Sequence, residues 1–180
     1  KNGKIAWRHP AGGKLRATPL ADDDKLYAAG GDGQLVCLKQ KNGDVRWAYD
    51  AGSPVASSPL LADGRLVFGC KDGSVHAVAA KNGKAQWQQR TKGAVSATPA
   101  HHDGVVYVGS SDKRLYAFRI KNGEIAWTFG TRAAILSSPC VQDGKVYLTG
   151  YDRHTYVLDA KDGHTVAQMR LKAPIYSSPL

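Results

Sequence analysis

One heptapeptide recurs through the chain at a fixed interval of 40 residues, and that interval restricts the fold more than anything else in the sequence. Its copies are Lys1-Asn2-Gly3-Lys4-Ile5-Ala6-Trp7, Lys41-Asn42-Gly43-Asp44-Val45-Arg46-Trp47, Lys81-Asn82-Gly83-Lys84-Ala85-Gln86-Trp87 and Lys121-Asn122-Gly123-Glu124-Ile125-Ala126-Trp127. A fifth, Lys161-Asp162-Gly163-His164-Thr165-Val166-Ala167, has lost the tryptophan. No insertion disturbs the spacing. A repeat of this length is one supersecondary unit that cannot bury its apolar surface alone and must stack on its neighbours.

The second repeat shows what kind of unit it is. Residues 55–61, carrying Ser57-Ser58-Pro59-Leu60, read as a first strand, and Asp63-Gly64 as a hairpin turn. Arg65-Leu66-Val67-Phe68 is a second run ending at Gly69, and Lys71-Asp72-Gly73 turns the chain into Ser74-Val75-His76-Ala77-Val78. Lys81-Asn82-Gly83 closes that run, and Ala85-Gln86-Trp87 is the fourth. Asn-Gly and Asp-Gly between alternating apolar runs signal hairpins, because those turns need positive φ at their centre. Four short antiparallel strands per repeat describe one blade of a β-propeller.

With strands a to d counted outward from the propeller centre, the sequence predicts an all-β chain of four complete blades near 15–48, 55–88, 95–128 and 135–169. An isolated strand d at residues 4–8 precedes them, and an isolated strand a at 175–180 follows. Ring closure usually joins strands from both termini in one blade, and here strands b and c of that blade would be missing. The chain therefore reads as a segment of a larger propeller or as a unit completed by association, with a four-bladed ring carrying two redundant strands as the alternative. An open arc would offer sheet faces and edges to other chains. Departures from the pattern are few: Asp22-Asp23-Asp24-Lys25 replaces the first Asp-Gly hairpin, and Asp112-Lys113-Arg114 and Asp152-Arg153-His154 lack the glycine of Gly33 and Gly73. Ala167, in the tryptophan column, predicts a less firmly docked last strand.

Ser-Ser-Pro-Leu, Asp-Gly, the Val105–Gly109 run and Leu115-Tyr116-Ala117-Phe118, followed by Lys-Asn-Gly-Glu-Ile-Ala-Trp, together resemble the pyrroloquinoline-quinone-type propeller repeat. The resemblance covers essentially the whole chain. It implies seven or eight blades in an intact ring, with Trp7, Trp47, Trp87 and Trp127 each docking one blade on the next. Families with this repeat include quinoprotein alcohol dehydrogenases, the periplasmic lipoprotein scaffold of the outer-membrane β-barrel assembly machine, and propellers appended to adenylate-forming enzymes and bacterial protein kinases. A periplasmic or exported location follows from the resemblance only. Fold does not choose among these functions; the site must.

The chemistry of the quinoprotein enzymes is not carried over. They hold their cofactor under a vicinal cysteine disulfide and use a catalytic Asp and a calcium-ligating Glu. This sequence has no adjacent cysteines, and Glu124, its only Glu, lies in a hairpin turn. Most Asp residues are explained by the turns they form. Cys37, Cys70 and Cys140 are odd in number and far apart, which fits free cysteines on half-buried strands rather than a disulfide framework or a CxxC site. His101-His102-Asp103 has metal-binding residue types, yet adjacent side chains on an extended segment point apart. Asp22-Asp23-Asp24 fits a solvated loop better than a calcium site. The Ser-Ser-Pro elements read as innermost-strand positions, and no nucleophile elbow, P-loop or dinucleotide-binding glycine pattern is present. One tryptophan per repeat at one column is inter-blade packing rather than a stacking platform. No cofactor, metal or catalytic residue is assigned.

The net charge is +10, from 25 Lys and Arg against 15 Asp and Glu. Part of it recurs at the turn lysines and is solvated surface. The rest is asymmetric. In a propeller the d-to-a and b-to-c connections emerge on one face, and there the second half of the chain places Arg90, Lys92, Lys113, Arg114, Arg132, Arg153, Arg170 and Lys172 against Asp112 and Asp152. Such a rim favours an anionic ligand or an acidic protein segment. Nucleic acid is not expected, because exposed aromatics are scarce in those loops apart from Tyr151. No apolar run approaches the roughly 18–20 residues of a membrane span, so membrane insertion is not expected either. The first residues fall at a repeat boundary and show no signal-peptide layout. The expectation is a non-catalytic binding or scaffolding propeller with a protein partner, or self-association to complete the ring. The alternatives are a sensor or regulatory propeller of a larger adenylate-forming enzyme or kinase, and a fragment of a quinone-dependent dehydrogenase.

Overall fold

The computed structural model describes residues 3–10, 12–14, 17–173 and 177–179; these contain sixteen strands and no helix. Blade 1 is β1 (Leu20–Asp22), β2 (Lys25–Ala29), β3 (Gln34–Lys39) and β4 (Val45–Asp50). Blade 2 is β5 (Leu60–Ala62), β6 (Arg65–Gly69), β7 (Ser74–Ala79) and β8 (Ala85–Arg90). Blade 3 is β9 (Ala100–His102), β10 (Val105–Gly109), β11 (Arg114–Arg119) and β12 (Ile125–Gly130). Blade 4 is β13 (Cys140–Gln142), β14 (Lys145–Thr149), β15 (His154–Asp159) and β16 (Thr165–Arg170). In every sheet, strands adjacent in sequence pair antiparallel, and the four propeller blades form an open arc, not a closed ring. No helix is long and apolar enough to cross a membrane.

Local chemistry sets the hairpins. Asp63, Asp103 and Asp143 adopt φ of 46°, 45° and 49°, and the glycines after them 70°, 72° and 66°, the paired positive values of a tight two-residue turn. The innermost strands differ from expectation. In blade 2 the inner segment first meets its neighbour at an isolated bridge, Val55 with Cys70, and ladder pairing resumes at Leu60; Pro59, which has no N–H to give, lies in the gap. The serines serve elsewhere. Ser57 Oγ accepts the Gly69 N–H at 2.8 Å, and Ser137 donates to the Thr149 carbonyl at 2.5 Å. The second serine of each pair reaches the preceding blade: Ser58, Ser138 and Ser178 accept the N–H groups of Thr18, Thr98 and Ser138 at 2.8, 3.0 and 2.9 Å. Residues 4–8, expected as an isolated strand, belong to no sheet, since no strand c lies beside them. Of the strand expected at 175–180, residues 177–179 are described and belong to no sheet; the rest lies outside the described residues.

Blades stack through alternating faces. Tyr27, Leu35 and Cys37 of blade 1 meet Leu66, Phe68 and Val78 of blade 2, and the same columns join blades 2 and 3 and blades 3 and 4. The tryptophans complete each joint. Trp7, Trp47, Trp87 and Trp127 donate their indole N–H to the carbonyls of Gln40, Ala80, Ile120 and Ala160 at 2.8, 3.2, 2.8 and 3.1 Å. Each ring lies over a glycine of the next blade. A Cβ on Gly83 would stand 2.5 Å from the Trp47 ring, so the close approach requires glycine there. A bulge lies beside this column in the outer strand of every blade: Ala77 pairs with Trp87, but its neighbour Val78 pairs with Ala85, and the same shift occurs at Ala167. In β16, where Ala167 replaces tryptophan, all six residues are exposed.

Buried polar groups are also paired across blades. Lys92 N–H and the Tyr116 hydroxyl both donate to Asp112 Oδ2, at 2.8 and 2.7 Å. Arg132 N–H and the Tyr156 hydroxyl do the same to Asp152 Oδ2, at 3.0 and 2.7 Å. Burial alone would raise the Asp152 pKa, but hydrogen bonds from Tyr156, Arg132 and His154 hold it below the ordinary range. Blade 2 has a different arrangement. Ser74 donates its hydroxyl to Asp72 Oδ1 at 2.6 Å, so its oxygen accepts from His76 Nε2 at 2.9 Å, and His76 Nδ1 accepts from the Tyr49 hydroxyl at 3.0 Å. Burial holds the His76 pKa below its usual value, against the opposing pull of Asp72.

Three outcomes are expected. Trp87→Ala lowers unfolding stability by about 3–5 kcal/mol, as for other buried aromatic truncations, and Trp7→Ala by less because Trp7 is only half-buried; urea denaturation measures both. Lys113 and Arg153 hold φ of 72° and 66° in the turn where Gly33 and Gly73 sit. Replacing either by glycine removes a left-handed penalty of about 1–2 kcal/mol against an added chain-entropy cost of about 0.5–1, so each variant is as stable or more stable, by up to about 1.5 kcal/mol, in the same assay. Stability also falls in two steps on acidification. Below about pH 6.5 the unfolded chain takes a proton that buried His76 refuses, and below about pH 4 the depressed carboxyls of Asp72 and Asp152 lose their native advantage. His76→Gln flattens the first step and Asp152→Asn the second, read from urea midpoints across pH.

Candidate functional site

The strongest concentration of charge lies where the b-to-c turns meet the d-to-a links. Backbone hydrogen bonds tie these segments together: Thr91 N–H to the Gly73 carbonyl at 2.9 Å, Thr131 to Lys113 at 2.8 Å and Leu171 to Arg153 at 2.7 Å. Arg90, Lys92, Lys113, Arg114, Arg132, Arg153, Arg170 and Lys172 are all exposed on this loop cluster. They divide by blade. Arg90 sits 3.3 Å from the Asp72 carboxylate. Lys92 and Arg132 use their backbone N–H groups to bind Asp112 and Asp152, leaving their side-chain charges in solvent. Arg114 reaches the Thr128 hydroxyl at 3.5 Å. Arg153, Arg170 and Lys172 line one open surface depression of about 310 Å³.

The acids of this face do not balance it as a count of charges suggests. The Asp152 side chain is 3% exposed, and its two oxygens accept from Arg132, Tyr156 and His154. Asp112 is clamped in the same way by Lys92, Tyr116 and Arg114 N–H groups and hydroxyl. A carboxylate used as an inter-blade clamp offers little field to solvent. The tyrosines that make this possible, Tyr116 and Tyr156, were not identified from sequence. Their signal was a column that reads Val36, His76, Tyr116, Tyr156, with a hydroxyl appearing only in the last two blades.

Other chemistry-bearing groups are structurally engaged. His101 points to Asp63, 3.6 Å away in the neighbouring blade, and His102 to Asp103 at 3.5 Å, so the pair does not converge on one ion. Cys37 and Cys70 are buried and Cys140 half-buried, all free. Burial pushes the Cys70 thiol up to about 11, which leaves it unreactive near neutrality. Asp159, Asp162 and His164 bring ligand atoms within 4.8 Å of one another in the last c-to-d turn. Lys161 N–H binds Asp159, and His164 binds Asp162 through both its N–H and Nδ1, so turn formation accounts for the cluster.

Solved structures share this fold widely: 1380 chains match. BamB from Moraxella catarrhalis superposes with a TM-score of 0.82 at 24% identity over 94% of this chain and 54% of its own. The computationally designed Ika8 protein gives 0.80 at 15% identity over 88% of this chain and 50% of its own. The quinohemoprotein alcohol dehydrogenase ADHIIG from Pseudomonas putida HK5 gives 0.83 at 17% identity over 95% and 36%. At these identities the likeness establishes the fold, and the chain spans about half the length of the first two. No curated protein matches the sequence at a significant level. The outer membrane protein assembly factor BamB family, however, matches residues 1–94 and 71–173, two overlapping stretches that take in all but the last few residues, and the chain belongs to that family.

Proposed function

We propose that this propeller is a non-catalytic binding module that presents its basic loop face to an acidic protein segment. The observation that carries the reading is the unopposed charge of that face. Its cations are exposed, while the nearest acids in blades 3 and 4 are turned inward as clamps. Lys113 and Arg153 add to it. Each holds a left-handed backbone where the turn accommodates glycine in blades 1 and 2, and strain retained at a surface position points to use of the side chain. The rigid blade stack fixes the spacing of the charged loops, so affinity comes from shape and field rather than a reactive group.

Membership of a family named for outer membrane protein assembly supports a protein partner and a periplasmic or exported setting. On this reading the likeness to quinohemoprotein dehydrogenases is one of fold: the three cysteines are free and not adjacent in sequence, and Glu124 is an exposed turn residue.

Charge reversal tests the reading. Anisotropy of a labelled glutamate-rich peptide should show binding that weakens with salt. The Arg114→Glu, Arg132→Glu, Arg153→Glu triple variant should lose about tenfold or more at low ionic strength and less at high. Equal affinity of the two proteins at low salt would sink the proposal.

A further inference from the structure

The fourth blade differs from the other three at three columns of the loop face. The turn position left-handed in every blade is Gly33, Gly73, Lys113 and then Arg153. The last residue of the outer strand is Asp50, Arg90, Gly130 and then Arg170. Two residues further on stand Gly52, Lys92, Arg132 and Lys172. Only blade 4 has a cation at all three. Those three side chains, with Leu171, line the depression of about 310 Å³, and the 2.7 Å hydrogen bond from Leu171 N–H to the Arg153 carbonyl holds its two walls together.

Blade 2 shows why these charges stand free. There the carboxylate of Asp72 faces outward and meets Arg90 at 3.3 Å, while His76 turns to Ser74 and Tyr49. In blade 4 Tyr156 replaces that histidine, and its hydroxyl draws Asp152 Oδ2 inward at 2.7 Å. Asp152, the equivalent of Asp72, is thereby withdrawn from Arg170. Among the described residues none of Arg153, Arg170 and Lys172 forms an ion pair. Three unpaired cations around one open depression repel one another, and a bound anion relieves that repulsion.

We infer that Arg153, Arg170 and Lys172 form a subsite for a phosphoryl group, a compact dianion with several acceptor oxygens. Two guanidinium forks and an ammonium supply more donors, and more charge, than a single carboxylate can use. The inference rests on the reading of this face as anion-attracting and goes further by assigning one pocket and one ligand chemistry.

The test uses inorganic phosphate as the probe, followed by NMR shifts or calorimetry, with acetate for comparison. Saturable phosphate binding, tighter than acetate, is expected. Arg153→Gly removes one cation while relaxing the backbone, so loss of binding cannot be charged to unfolding; it should weaken phosphate by about tenfold. Lys81→Ala removes a cation from an exposed c-to-d turn, away from the loop face, and should leave binding as it was. Equal effects of Arg153→Gly and Lys81→Ala, or no saturable binding, overturn the subsite. The peptide experiment then still decides the broader reading of the face by itself. Co-sedimentation with phosphatidylcholine vesicles containing phosphatidic acid, lost in Arg153→Gly, would identify a lipid headgroup as the source; phosphate binding without co-sedimentation would identify a soluble phosphate ester.

Discussion

Everything in this molecule depends on one contact: an indole laid across a glycine of the next blade, its N–H on a carbonyl 33 residues ahead. A four-stranded sheet of this size cannot cover its own faces, and the tryptophan helps to close a buried core at each of the three joints between the four sheets. The contact joins directional and non-directional stabilisation. The ring removes a large apolar area from water, and its hydrogen bond fixes where along the neighbour that area is placed. A tyrosine reinforces the same acceptor at two joints, with Tyr27 donating to the Ala80 carbonyl at 3.4 Å and Tyr107 to that of Ala160 at 2.9 Å. The outer-strand bulge recurs in all four blades, including blade 4 where Ala167 replaces the tryptophan, so it belongs to the blade rather than to the ring.

Much of this architecture could be read from sequence because repetition converts single residues into columns. A lone Asp-Gly is a weak turn signal; the same dipeptide at a constant place in successive repeats is a hairpin. The columns were less informative wherever function depends on side-chain direction. Asp72 and Asp152 occupy one column and form the same turn, yet one faces solvent and the other is buried. The difference lies in a partner four columns away, His76 against Tyr156. The Ser-Ser-Pro element departs from a continuous inner strand for a related reason: its period is right, but pairing lapses between the Val55–Cys70 bridge and Leu60, where both serine hydroxyls bind backbone groups instead. Residue identity fixed the period, and pairwise packing fixed the rest.

The loop face shows how a repeat protein acquires a site without disturbing its frame. The turns and links of successive blades are superposable in their backbone bonds, so a cation introduced there changes field and not fold. Blades 1 and 2 keep glycine in the strained position, whereas blades 3 and 4 hold Lys113 and Arg153 in it. With the clamped acids beneath them, those side chains face a surface whose negative charge has been withdrawn into the joints. Electrostatic asymmetry and inter-blade stability are therefore two results of the same Tyr–Asp contact.

The forward reach of the tryptophan contact also bears on how the chain is made. Each ring is synthesised before the carbonyl it docks on, as Trp47 precedes Ala80 and Trp87 precedes Ile120. At translation rates of about 5–20 residues per second, a finished sheet waits roughly 2–7 s with its indole in water before the next blade supplies the acceptor. Assembly on the ribosome thus advances by a relay in which every blade is completed by its successor. The nascent chain always carries one uncovered aromatic at its growing end, and a chaperone that recognises exposed tryptophan would have a single moving target rather than many.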